Sequence, residues 1–299
     1  MSITVEEMKR VVQAGDDFGH ELRVGAILAN AKPKRILGGG IQMNAPMPVQ
    51  VQPPEYGGAF SAPVSRKSAP FDYRCKLFKA RPGNSGSKHI LMAVECQNMD
   101  AGLPLLVCGR RRIKDESFHD FIQLTDKKTA QRVSAGSSIY KQDGFVGKNL
   151  IRIKTKNENN NNGDKFAACR DGELEIYEKW SRALTSARDL VHGTLHGQVY
   201  EPLPPDSVAF VMPIVVLPDG ALWKVEYDAE GRLAGDPAPI SRCEYYVGHR
   251  LEFEPTVFLT HIHFMTLAGL SETMENLLSL ETTWTNTFSP QAKPSPHGQ

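Results

Sequence analysis

Long apolar runs are missing from this chain of 299 residues. None approaches the roughly 20 residues that a bilayer-spanning helix needs, so no membrane partner is expected. The opening MSITVEEMKR has no apolar stretch of the kind a secretory signal requires. Cysteine is sparse and scattered. Cys75, Cys96, Cys108, Cys169 and Cys243 are odd in number and form no C-x-x-C pair. That argues against a disulfide framework or a structural zinc site and fits reduced thiols in a cytoplasmic protein. Charge of one sign is lacking too: the formal net charge is +1, so any contact with a polyanion must come from local patches. There is no G-x-S-x-G nucleophile elbow and no phosphate-binding G-x-x-x-x-G-K-[ST] loop. GGG at 38–40 stands alone, and no cysteine has a paired histidine nearby in sequence to activate it as a nucleophile. THIHF (260–264) offers His261 and His263, but two imidazoles without further ligands do not make a zinc site.

What is present is an ordinary globular balance, 40% hydrophobic and 23% charged, over a length that buries a sizeable core. Residues 5–31 have Val11, Phe18, Leu22, Val24 and Leu28 at three- and four-residue spacings, the pattern of a helix. Gly15 and Gly25 each weaken it by about 1 kcal/mol against alanine, with a break expected near Gly15. Residues 32–70, with GGG and repeated prolines and serines, read as a long loop. FDYRCKLFK and HILMAVECQN read as two strands joined by the turn RPGNSGS, and LPLLVCGRR as a third. RIKDESFHDFIQLTDKKTAQRVSAG reads as a short helix and a loop, FVGKNLIRIKTK as a basic strand, and NENNNNGD as a polar loop tip. Residues 171–195 form the clearest helix, with Leu174, Tyr177, Trp180, Leu184, Ala187 and Val191 on one face. VAFVMPIVVLPDG is a continuous apolar strand of the kind covered on both faces, and ALWKVEYDAEGR is expected to fold back on it through PDG. HIHFMTLAGLSETMENLLSL resembles a last helix, and 285–299 a frayed end.

Within MAVECQN (92–98), side chains at i and i+2 of a strand share a face. Glu95 and Gln97 therefore point one way, and Ile90, Met92, Val94 and Cys96 the other, into a core. A carboxylate beside a second oxygen donor at a strand end suits a hard cation such as Mg²⁺, which needs one or two carboxylates and keeps its waters. Asp72 lies 23 residues upstream. If 71–79 and 88–97 form a hairpin, Asp72 and Glu95 emerge at the same end, about 5 Å apart. Two like charges so close are costly without a cation between them. Glu21, between Phe18 and Val24 on the first helix, falls on its buried side or edge, where glutamate rarely sits without a partner. Taken singly, each has a plainer reading. Glu95 with Gln97 reads as a solvent-facing polar pair, Asp72 as a cap or turn residue, and Glu21 as a helix-edge residue paired with Arg23 or Lys34. Asp17 rivals Glu21 one turn earlier.

In order, GDDFGHELRVGAIL (15–28), PFDYR (70–74) and ILMAVECQN (90–98) resemble the PD-(D/E)XK superfamily, the restriction-endonuclease-like fold. The resemblance implies an α/β (α+β) protein with a mixed central sheet flanked by helices. Its core would be a helix, three meandering antiparallel strands, a second helix and a further strand. A single domain over 1–299 is expected, with the core at about 5–98 and 171–228, an inserted β/loop region at about 99–170 and a C-terminal helical extension at about 260–282. The implied function is Mg²⁺- or Mn²⁺-dependent hydrolysis of DNA phosphodiester bonds, in a restriction or defence setting, with the choice of DNA over RNA left open by the sequence. Asp72 and Glu95 would bind the metal with the Cys96 carbonyl, Gln97 would orient the attacking water, and Glu21 would help hold the ion. Gln97 stands where the family usually has lysine, and some family members that cut DNA carry glutamine there. Arg110, Arg111, Arg112 and Lys114, with Lys148, Arg152 and Lys154, would contact phosphates, or form two solvated faces. Cutting both strands would favour a homodimer. The alternative from another class is a nuclease fold without catalysis, binding nucleic acid or a protein partner.

Overall fold

The structure, a computed structural model, describes residues 4–14, 17–30, 50–59, 70–80, 87–124, 130–136, 140, 143–155, 166–169, 172–196, 206–253, 257–279 and 281–288. Two helices open the chain, α1 (Val5–Ala14) and α2 (Asp17–Asn30); Gly15, where a break was expected, lies outside the described residues. The strands β1 (Gln50–Ala59), β2 (Pro70–Ala80) and β3 (Ser87–Cys96) follow. They pair antiparallel in sequence order, β2 to β3 in the register Tyr73↔Val94 to Ala80↔Ser87. Next come β4 (Leu105–Arg111), a 3-10 turn at Lys114–Glu116, and β5 (Phe118–Leu124). After β6 (Ala130–Gly136), β7 (Phe145–Thr155) and β8 (Phe166–Cys169), the long helix α3 (Gly172–His196) leads into β9 (Val208–Leu217). The chain ends with β10 (Leu222–Glu226), β11 (Ala238–Pro239), β12 (Arg242–Phe253), β13 (Val257–Thr266), α4 (Leu267–Ser279) and α5 (Glu281–Phe288).

All thirteen strands belong to one mixed sheet. Its main path runs β1-β2-β3-β9-β13-β12-β7-β4-β10-β11, so strands from 99–170 share the sheet with β3. β9 lies parallel to both β3 and β13. As its unbroken apolar run requires, it is buried on both faces. On one face α3 packs Ala183, Leu184, Ala187, Leu190 and Val191 against Leu91, Ala93, Val211 and Val215. On the other, Val24 and Leu28 of α2, Leu270 and Met274 of α4, and Trp284 of α5 cover Met92, Val94, Met212 and Ile214. Pro213 sits in a central strand, where proline is rare. It falls between the two partners along one edge of β9, β5 up to Ala209 and β13 from Ile214, so its missing donor breaks no ladder bond there.

Several sequence expectations change. Part of the loop expected over 32–70 is strand β1, its last residue Pro70 opens β2, and the rest of that stretch lies outside the described residues. The helix expected after Arg112 shrinks to one 3-10 turn, and FHDFIQL becomes β5, held by pairing with β6 and with the start of β9. His119, expected on a helix, is on that strand. The hairpin expected through PDG does not form. The edges of β9 are taken by β3, β5 and β13, and β10 pairs in parallel with β4 instead. The segment from 260 stays a strand through Thr266, and α4 begins only at Leu267. Thr266 Oγ1 accepts the Gly269 N–H at 3.2 Å there, and Asp219 Oδ1 accepts that of Ala268 at 2.9 Å. These side chains satisfy first-turn donors that a continuous helix would have bonded itself. On α3, Tyr177 is exposed rather than inward. The NENNNNGD tip lies outside the described residues.

Candidate functional site

The β2–β3 register brings Asp72 and Glu95 together at one end of the hairpin, on the face covered by α3. Asp72 Oδ2 accepts the backbone N–H of Cys96 at 2.7 Å, which seats the carboxylate at the strand end. The Asp72 N–H points to Glu95 Oε1 at 3.4 Å. Glu95 is fully buried, which excludes the reading of a solvent-facing pair. Burial, and then the negative charge of Asp72, push its carboxyl up to about 8, against the pull of Lys179 and Arg182. Gln97 is buried on the same side. Its Nε2 donates to the Asn98 carbonyl at 3.2 Å, and its own N–H donates to the Val216 carbonyl at 2.9 Å.

Among the described residues, two buried oxygens in this group have no hydrogen-bond partner: Glu95 Oε2 and Gln97 Oε1. A buried acceptor left unmade costs about 1–3 kcal/mol, and a carboxylate more. Hard oxygens close to a second carboxylate are the donor set of Mg²⁺ or Mn²⁺. The side chains present fit such an ion: Asp72 and Glu95 would hold it, and the Gln97 amide oxygen is left to accept a hydrogen bond from a water.

Glu21 comes from the other side of the sheet. The Val24 and Leu28 side chains of α2 pack on the face that also takes Cys96, opposite Glu95. Tyr73 Oη donates to the Glu21 carbonyl at 2.9 Å, which fixes α2 over the start of β2. Gly25 permits that approach, since a Cβ there would stand 2.5 Å from Tyr73 Oη. The Cys96 thiol, buried on this face, is pushed far up by burial and then by the charges of Asp72, Glu21 and Glu95. Glu21 is thus near the end of β3 but on the face opposite the acid pair. Among the described residues, no three His, Cys, Asp or Glu side chains stand close enough to hold one metal ion. What Cys96 gives the site is its backbone N–H, donated to Asp72.

Two cations that sequence reading passed over stand at the site. Lys179 Nζ of α3 lies 3.6 Å from Asp72 Oδ2, and Arg182 follows on the same helix face, bonded to Glu178 at 2.6 Å. The helix is pinned over β2 by buried Arg74, which donates to Ser186 Oγ at 3.0 Å and to Asp189 Oδ2 at 3.3 Å. Spacing on α3 put Lys179 and Arg182 one turn apart; only the long-range packing aims them at β2.

No protein-family model, curated protein or solved structure matches the chain.

The basic residues expected to hold phosphates lie elsewhere on the sheet. β9, β13 and β12 separate β3 from β7, and at about 4.8 Å per strand β7 is about 19 Å away, with β4 beyond it. Arg110 pairs with Glu116 at 2.9 Å, and Lys148 pairs with the same carboxylate. Arg112 is buried, bonded to Glu244 at 3.1 Å and set over the Tyr140 ring. Arg111 and Lys114 are exposed and Arg152 half-buried. The Lys154 side chain lies outside the described residues.

His261 and His263 are core residues beneath α2, α4 and α5. Tyr140 Oη and His263 Nε2 share a hydrogen bond of 2.9 Å. The His261 ring stacks on Tyr140 at 3.9 Å, and His119 meets Tyr140 edge-on at 5.4 Å.

Proposed function

We propose that the chain is a Mg²⁺- or Mn²⁺-dependent endonuclease that hydrolyses DNA phosphodiester bonds at the Asp72–Glu95–Gln97 end of β3. The observation that carries this is the pair of buried, unpartnered oxygens, Glu95 Oε2 and Gln97 Oε1, beside the Asp72 carboxylate. The order α2, β1, β2, β3, α3, β9, with β9 parallel to β3, supports the restriction-endonuclease-like core that the sequence resembles.

When bound, the ion supplies positive charge that lowers the pKa of the attacking water and offsets charge building on phosphorus. The protein's part is placement. Cys96 N–H holds Asp72 in one orientation, and Glu95 is locked by burial between β3 and α3. The Gln97 amide oxygen accepts a hydrogen bond from the attacking water and aims it in line with the bond to be cut. The water oxygen bonds to phosphorus as the bond to the leaving oxygen breaks. The water gives up one proton to solvent, and the leaving oxygen takes one.

Nicking of supercoiled plasmid in Mg²⁺ or Mn²⁺, absent in chelator, is the expected result. Asp72→Asn and Glu95→Gln each lower the rate by about 10²- to 10³-fold or more. Tight DNA binding without cleavage in any divalent metal would instead favour the non-catalytic module, the reading that neutral Gln97 supports.

A further inference from the structure

Helix α5 is the last described element, and its 8 residues are too few to persist as a helix alone. Packing holds it. Trp284, 1% exposed, seats in the same core as Tyr140 and Phe210, and its Nε1 donates to the Leu277 carbonyl of α4 at 2.6 Å. Lys88 of β3 lies over the Phe288 ring at 5.5 Å. The backbone of Thr287, fully buried, faces the His119 ring of β5.

His119 sits where a charge finds no partner. Its ring meets Tyr140 edge-on at 5.4 Å and tilts against Phe210 at 4.3 Å. On Tyr140 come His263, sharing a hydrogen bond with its Oη at 2.9 Å, and His261, stacked at 3.9 Å. The cations facing these rings are Arg112 just after β4, Arg242 of β12 and Lys148 of β7. Glu244 of β12 faces Tyr140 but is bonded to Arg112 at 3.1 Å, and Glu116 is taken by Arg110 and Lys148. On α4, Glu272 and Glu275 are exposed, and on α2 the His20 Nε2 meets the Val216 carbonyl at 3.0 Å. The described side chains of α5, Thr282, Trp284, Thr287 and Phe288, carry no charge. Among the described residues, a protonated His119 would therefore meet rings and cations, with the nearby carboxylates already engaged. A buried charge without a partner is costly, so the ring gains its proton where water reaches it. β5 is held by β6 on one side and β9 on the other. The terminal helix opens at less cost than the whole fold.

We propose that α5 is an acid-operated latch: it lifts from the sheet when the His119 ring takes a proton, while the sheet beneath stays folded. Mild acid then uncovers the seat of Trp284 before the chain unfolds. Hydrogen–deuterium exchange of the whole chain at pH 7.0 and 5.5, read by mass spectrometry and corrected for the intrinsic exchange rate, tests it. One proton taken up on opening, by a histidine with its ordinary pKa of about 6.5, favours the open state about tenfold over that interval. Protection of the α5 amides should fall by about that factor. The β9 amides, which exchange on unfolding of the whole sheet, should stay the better protected at both pH values. His119→Gln keeps a polar side chain and removes the titration, so its α5 protection should change by less than about twofold. Unchanged α5 protection in wild type overturns the proposal, and so does α5 protection equal to that of β9 at pH 5.5. A tenfold fall that persists in His119→Gln overturns the part given to His119. Should that variant fail to fold, the two wild-type outcomes still decide.

Discussion

Replacing Glu95 by glutamine is expected to stabilise the metal-free protein at pH 8 and above while removing its cleavage activity. The acid is fully buried, and its folded-state carboxyl sits at about 8 against an ordinary 4.5. The folded state therefore holds a proton that the unfolded chain releases between pH 4.5 and 8. Stability linked to Glu95 is complete below pH 4.5 and is lost as pH rises through that window. At pH 8 the loss is of the order of a few kcal/mol. Glu95→Gln keeps the shape and removes the titration. At about 2–4 °C per kcal/mol, the variant should melt about 5 °C or more above wild type at pH 8, with the gap closing toward pH 5. Thermal melts in chelator across that range check it. A variant less stable than wild type at pH 8 would mean that the carboxylate is well accommodated as an anion and needs no cation.

Acid should unfold this protein early. His89, His119 and His263 are held down to about 3, burial being the first cause in each. Further lowering comes from Lys76 at His89, from His263 at His119, and from Arg242 and Arg112 at His263. His261 is held down in the same way, by burial and then by Arg112 and its neighbouring histidines. These groups are neutral when folded, and the unfolded chain protonates them below 6.5. Their contribution is complete above pH 6.5 and is lost as pH falls toward 3. Four such protons, less the one that Glu95 keeps in the folded state, leave about three between pH 6.5 and 4.5. That is about 4 kcal/mol per pH unit, against a total stability of about 5–15 kcal/mol for a folded protein. Metal-free stability should therefore peak near pH 6.5 and collapse by about pH 5. Near-ultraviolet circular dichroism in urea at each pH reads this out. A stability flat from pH 7 to 5 would show that the histidines take up protons in place.

The acid pair was legible because it follows from two local rules: side chains alternate along a strand, and a hairpin turn fixes register. Those rules put Glu95, Gln97 and Asp72 on one face without knowledge of the rest of the chain. Lys179 was not legible, since its reach to Asp72 depends on Arg74 meeting Ser186 and Asp189 more than 110 residues away in sequence. Gly25 read as a weak point in a helix; its purpose is contact with Tyr73, which only packing reveals. PDG is a sound turn signal, but it does not say that the strand before it has its edges taken. THIHF alternates as a strand does, yet its apolar continuation LAGLSETMENLLSL drew the whole segment toward helix. The basic residues of β4 and β7 read as a phosphate surface because sequence shows their charge and hides Glu116 and Glu244, which neutralise Arg110, Lys148 and Arg112.

The central claim is that Asp72 and Glu95 hold one divalent cation beside Gln97, and calorimetric titration of the protein with Mn²⁺ tests it most directly. The account predicts one saturable site per chain, affinity that rises between pH 6 and 8 as Glu95 releases its proton, and loss of tenfold or more in Asp72→Asn and Glu95→Gln. Absence of saturable binding by wild type, or equal binding by both variants, would contradict it.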